Sequence, residues 1–157
     1  MHEERRTALK AGGGLTLLAL LAAAGWLTPR SVRAQTLNKS AFETRGLGDT
    51  MKALGAGEPA KSSEIEFFQT PDIAENGAVV PVGITSKIPN TEAIAILVEK
   101  NPNMLAAVFE VPPGTEATIA TRIKMAETCN VYALVRAEGK YFVTAKEVKV
   151  TLGGCGG

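Results

Sequence analysis

Alternation of apolar and polar positions is the first ordered pattern along the chain. Ala117, Ile119, Thr121, Ile123 and Met125 occupy every second position, with Glu116, Thr118, Arg122 and Lys124 between them. A period of two places the first set on one face of a β-strand and the second on the other. β-rich runs cover 64–69, 78–85, 92–99, 104–110, 115–125, 128–137 and 140–151. Turn-forming residues separate them: Asn76-Gly77, Ile88-Pro89-Asn90, Asn101-Pro102-Asn103 and Val111-Pro112-Pro113-Gly114. The stretch 137–140, AEGK, is short enough for a tight hairpin. Seven short strands with antiparallel-type alternation predict a mainly β protein, an immunoglobulin-like antiparallel β-sandwich over residues 63–152.

Upstream the period changes. Leu47, Met51 and Leu54 fall at i, i+4 and i+7, with Ser40 as an N-cap, so Ser40–Leu54 is expected to be helical. Gly46 and Gly48 weaken that helix. Residues 55–63, GAGEPAKSS, read as a linker. A helical segment and linker therefore occupy 35–62.

Residues 1–34 are expected to be a cleaved targeting leader. Arg5 and Arg6 open it, residues 12–27 form an apolar core, and Val32 and Ala34 stand at −3 and −1 of a cleavage point before Gln35. The core is shorter than the about 20 residues of a membrane span, which disfavours an uncleaved anchor. No Cys near residue 35 can carry a lipid. Arg5-Arg6-Thr7-Ala8-Leu9-Lys10 resembles a twin-arginine export motif, departing from it at Ala8. The alternative is an ordinary secretory signal.

Removing the leader changes the inventory. His2 and Trp26, the single His and Trp, go with it. Seventeen Lys and Arg less five leave twelve; sixteen Asp and Glu less two leave fourteen, a net charge of −2. That balance argues against nucleic-acid binding. Absence of His removes Ser–His and Cys–His nucleophile pairs, the commonest metal ligand and c-type haem attachment. Arg122 and Lys124 read as a solvated strand face. Glu64 and Glu66 read as surface charge, with no second carboxylate group opposite them for acid–base work.

Two cysteines remain, Cys129 and Cys155. Cys129 lies in a β-rich run and reads as a small buried apolar residue; a Cys129–Cys155 disulfide is the alternative. Cys155 lies in the terminal Gly153-Gly154-Cys155-Gly156-Gly157. The four glycines confer flexibility and a thin profile. No basic residue is nearer in sequence than Lys149, and the terminal carboxylate disfavours thiolate. Such a thiol lacks built-in activation. Its useful property is reach, about 17 Å for five extended residues, the property of a swinging arm that presents a covalent group to other enzymes. The competing readings are a frayed terminus, an intermolecular disulfide tether, and a Gly-Gly tail like that of the ubiquitin-like sulfur carriers. The last needs cytoplasmic adenylation, which an export signal contradicts.

The ending KVTLGGCGG, the leader and the run AENGAVVPV (74–82) resemble the SoxY family, sulfur-carrying subunits of bacterial thiosulfate oxidation. The runs 98–109, 121–135 and 139–150 are similar to it as well. The resemblance implies a periplasmic carrier, not an enzyme by itself, which forms a heterodimer with a SoxZ-like β-sandwich subunit. It implies that Cys155 is the covalent attachment point. A c-type haem protein conjugates thiosulfate to it as an S-thiosulfonate, a dimanganese hydrolase releases sulfate, and a molybdenum–haem sulfane dehydrogenase or another acceptor takes the remaining sulfur. It implies no haem, manganese or molybdenum on this chain. A different class of function also stays open: an exported β-sandwich interaction module whose terminal Cys forms an intermolecular disulfide.

Overall fold

The structure, a computed structural model, describes residues 38–152. The leader at 1–34 and the arm at 153–157 lie outside the described residues. The chain folds as an immunoglobulin-like β-sandwich of two sheets. A short helix, α1 (Leu47–Ala53), follows a 3-10 turn at Lys39–Glu43. Nine strands come next: β1 (Ala60–Lys61), β2 (Ile65–Phe68), β3 (Ile73–Ala74), β4 (Val80–Ser86), β5 (Thr91–Val98), β6 (Leu105–Glu110), β7 (Thr118–Ile123), β8 (Cys129–Ala137) and β9 (Lys140–Val150). The larger sheet runs β1-β9-β8-β5-β6, with β3 also on β9; the smaller runs β2-β4-β7.

The seven long strands match the seven runs read from the alternation. The other two, β1 and β3, have two residues each and pair parallel to β9, so the sandwich is not wholly antiparallel. β1 falls within the stretch read as a linker. Two residues are too few for any periodicity, and both β1 residues are exposed.

Burial explains why the alternation is clear in β7 and absent in β5. In β7, Ile123 is buried and its neighbours Arg122 and Lys124 are exposed. β5 is central and covered on both faces, with Ala93 to Val98 all buried. Ile94, Ile96 and Val98 face the sandwich core with Val131, Ala133, Val135, Val82 and Ile84. Ala95 and Leu97 face the other way, into a second cluster with Ala41, Met51, Met104 and Leu134. Such a strand reads as a continuous apolar run. The helical segment is the lid of that second cluster, forming a third layer on the larger sheet.

The helical reading over Ser40–Leu54 is corrected to two pieces. Gly46 is extended (φ −116°, ψ 146°) and separates them. The N-cap is Asn38, whose Oδ1 accepts from the Ala41 amide; Ser40 Oγ donates to the same oxygen. The β8–β9 hairpin closes at Glu138-Gly139, both left-handed (φ 50° and 70°), as a two-residue turn of the twist-matching kind requires. Among the described residues, no buried side-chain nitrogen or oxygen lacks a hydrogen-bond partner. No described helix is long and apolar enough to cross a membrane.

Gly83 on β4 lies close against Phe68 of β2. A Cβ there would lie 2.6 Å from the Phe68 carbonyl oxygen and 2.8 Å from its ring. Gly83→Ala should lower the unfolding free energy by about 1–3 kcal/mol through overpacking. Gly48→Ala in α1 meets nothing within 4 Å and should be neutral or stabilise by up to about 1 kcal/mol. Urea unfolding of the two variants should therefore move the midpoint in opposite directions, or only for Gly83.

Candidate functional site

The last strand, β9, ends where the predicted arm begins, and its final residues are held on both edges. On one edge β3 pairs parallel, Ile73 beside Lys149 and Ala74 beside Val150. The Lys149 amide donates to the Asp72 carbonyl at 2.9 Å, and the Thr151 amide to the Ala74 carbonyl at 3.1 Å. The Thr151 hydroxyl adds a bond to the Glu75 carbonyl at 2.9 Å. On the other edge Thr128 extends the β8 ladder by one residue. Its hydroxyl accepts from the Val150 amide at 2.9 Å and donates to the Val150 carbonyl. The Leu152 carbonyl finally accepts from the Gly77 amide at 2.7 Å.

The Asn76-Gly77 turn is thus more than a connection. Asn76 Oδ1 accepts from the Ala78 amide, fixing the turn locally. Gly77 then bridges two distant segments: its N–H holds Leu152, and its carbonyl accepts from the Met125 amide at 2.7 Å. Met125 is fully buried, so the turn is tied to the core. One residue pins the loop ahead of β3. Lys146 Nζ donates to the Thr70 carbonyl at 2.5 Å and pairs with Asp72 at 3.0 Å. Asp72 is almost fully exposed, so the ion pair adds little and the carbonyl bond carries most of the effect.

The sequence-predicted site residues divide sharply. Cys155 and Gly153, Gly154, Gly156 and Gly157 lie outside the described residues. Cys129 opens β8 opposite Val148 and is a buried, free thiol. Burial pushes its pKa up, with the Glu99 charge adding to the effect against backbone hydrogen bonds that lower it. It is a core residue, in line with its reading as a small apolar side chain. Arg122 and Lys124 are exposed, and Glu66 pairs with Lys87 at the surface. Among the described residues no group of three or more His, Cys, Asp or Glu could hold a metal ion. The clamp of Ala74, Glu75, Gly77 and Thr128 was missed. Only Asn76-Gly77 carried a signal, and that signal spoke of a turn, not of a bond to residue 152.

The family model described as "Sulfur oxidation protein SoxY" matches residues 50–155, from α1 through the clamped strand to Cys155. The chain belongs to the SoxY family. A solved structure, described as that of the sulfur carrier protein SoxY from Chlorobium limicola f thiosulfatophilum, is 36% identical, with a TM-score of 0.58. The similarity covers 66% of this chain and 96% of that one. No curated protein sequence matches.

Within this SoxY fold the root and the second thiol make separate predictions. Lys146→Met should leave the sandwich intact but speed amide exchange at Lys149 and Thr151 about three- to tenfold, as a single hydrogen bond from a part-exposed ammonium would. Hydrogen exchange by NMR reads this directly. Cys129 should resist N-ethylmaleimide in the folded protein and react only on unfolding. Above pH 9 the unfolded thiol ionises and the folded one does not, so its contribution to stability is present below pH 9 and is lost as pH rises through its raised pKa. Cys129→Val should flatten that alkaline loss.

Proposed function

We propose that this protein is the sulfur-carrying subunit of a periplasmic thiosulfate-oxidising system, and that Cys155 bears the covalent intermediates. The observation that carries the reading is a strand hydrogen-bonded to its last residues and followed by Gly153-Gly154-Cys155-Gly156-Gly157. A fixed root defines where the thiol can go, and glycines without Cβ let it enter narrow pockets. Membership of the SoxY family supports sulfur chemistry, and the solved relative described as a sulfur carrier supports carriage.

The chemistry balances as follows. The Cys155 thiol and thiosulfate join through a new S–S bond, giving Cys–S–S–SO3−, and release one proton and two electrons. The electrons pass to a c-type haem partner. Water then cleaves the bond between the sulfane sulfur and the sulfone. Cys–S–S–SO3− and water give Cys–S–SH and hydrogen sulfate, without net redox change, at a dimanganese hydrolase. A sulfane dehydrogenase or another acceptor takes the remaining sulfur. This chain supplies the thiol, its reach and its presentation, and turns over nothing alone. A SoxZ-like subunit completes the heterodimer. The leader supports twin-arginine export of that folded pair.

Intact-mass measurement tests the reading. With the haem partner and thiosulfate, the protein should gain an adduct that reductant removes and that Cys155→Ser abolishes. A mass unchanged by thiosulfate, or a disulfide-linked dimer as the sole functional form, would favour the interaction-module reading instead. Gly154→Val should leave the thermal midpoint within about 2 °C, because the residue lies beyond the clamp, and should slow loading at least tenfold by obstructing entry.

A further inference from the structure

Among the described residues the exposed large hydrophobics are three: Ile73 (59%), Val79 (54%) and Leu152 (66%). All three belong to the segments that meet at the arm's root. Ile73 lies on β3, which pairs with the end of β9. Val79 closes the turn whose Gly77 amide holds Leu152, its own amide donating to the Asn76 carbonyl. Leu152 is the last described residue. Neighbouring positions on the same segments are sunk in the sandwich core, with Ala74 and Val80 both buried. Isolated apolar side chains on a surface need no explanation, but the restriction of all three to one site does.

We propose that Ile73, Val79 and Leu152 form a docking collar for the apolar rim of the pocket that receives Cys155 in a partner enzyme. The proposal rests on the carrier reading and adds the surface by which the body of the protein is recognised. Reach supplies the occupant. Cys155 lies three residues beyond Leu152. Three extended residues span about 10 Å at most. Because the Leu152 carbonyl is fixed to Gly77, the thiol cannot travel further from the body than that. An enzyme whose reacting atoms lie inside a pocket must therefore bring the pocket's mouth against the surface around Leu152. The large side chains exposed there are aliphatic; the charges among them, Glu75 and Lys149, are of opposite sign, and the nearby Asp72 carboxylate is paired with Lys146. The collar therefore fits an uncharged rim, and apolar area removed from water supplies the attraction. Cys155 delivers the group, while the collar selects the surfaces to which it is delivered.

Steady-state loading of thiosulfate by the haem partner, with the heterodimer as the varied substrate, tests this. Ile73→Asp and Val79→Asp replace exposed side chains, and circular dichroism with urea unfolding checks that they fold as wild type. The expected result is a rise in KM of about tenfold for each, with kcat unchanged. Iodoacetamide should alkylate Cys155 at the wild-type rate in both. Raising salt from low to moderate ionic strength should leave the wild-type KM within about twofold, because an apolar contact is not screened. Wild-type protein that fails to load overturns the carrier reading and the collar with it. Equal KM values in variants and wild type, alongside normal loading, overturn the collar alone. So does a variant that dissociates the heterodimer or a homodimer in light scattering, because another subunit would then be the collar's occupant. A fall in kcat with KM unchanged also overturns it.

Discussion

Strand β9 is the member on which the rest of the molecule depends. It pairs with β8 from Cys129–Val148 to Ala137–Lys140, the longest ladder in the fold. Its inner side chains, Phe142, Val148 and Val150, belong to the sandwich core. Its outer ones, Tyr141 and Val143, pack under the helical layer, and the Tyr141 hydroxyl donates to the Leu54 carbonyl at 2.7 Å. One strand therefore ties all three layers together and ends at the clamped residues Val150 to Leu152. Loosening β9 at its end would therefore disturb both the core and the helical layer.

The two cysteines stand in opposite sequence surroundings. Cys129 is buried, opposite Val148, and desolvation keeps it protonated and unreactive. Cys155 stands seven residues beyond Val148, flanked only by glycines. The burial that protects Cys129 comes from the same core that fixes β9.

The end of β9 is held by bonds that are individually weak. β3 has two residues, the Thr128 bonds extend a ladder by one, and Gly77 contributes a single amide. Each such bond contributes about 0.5–1.5 kcal/mol net. Together they cover both edges of β9 through Val150 and end at Leu152. The clamp is firm in aggregate, and each member can be loosened separately.

Period-two alternation in Ala117–Met125, glycine and proline punctuation, and the Glu138-Gly139 turn were enough to determine the long strands and the sandwich. Each is a local signal, set by backbone sterics and by one face meeting water. The run of glycines around Cys155 and the absence of any His beyond His2 were equally plain, because they are read from composition. What the sequence could not determine was the partnership of residues far apart along the chain. Nothing local says that Gly77 bonds Leu152, that Lys146 holds Thr70, or that Ile73, Val79 and Leu152 belong to segments meeting at one site. Two-residue strands have no period, and a backbone hydrogen bond leaves no trace in side-chain identity. Those contacts exist because folding the two sheets together brings the ends of β3, β7 and β9 to one edge, and only the tertiary structure decides that.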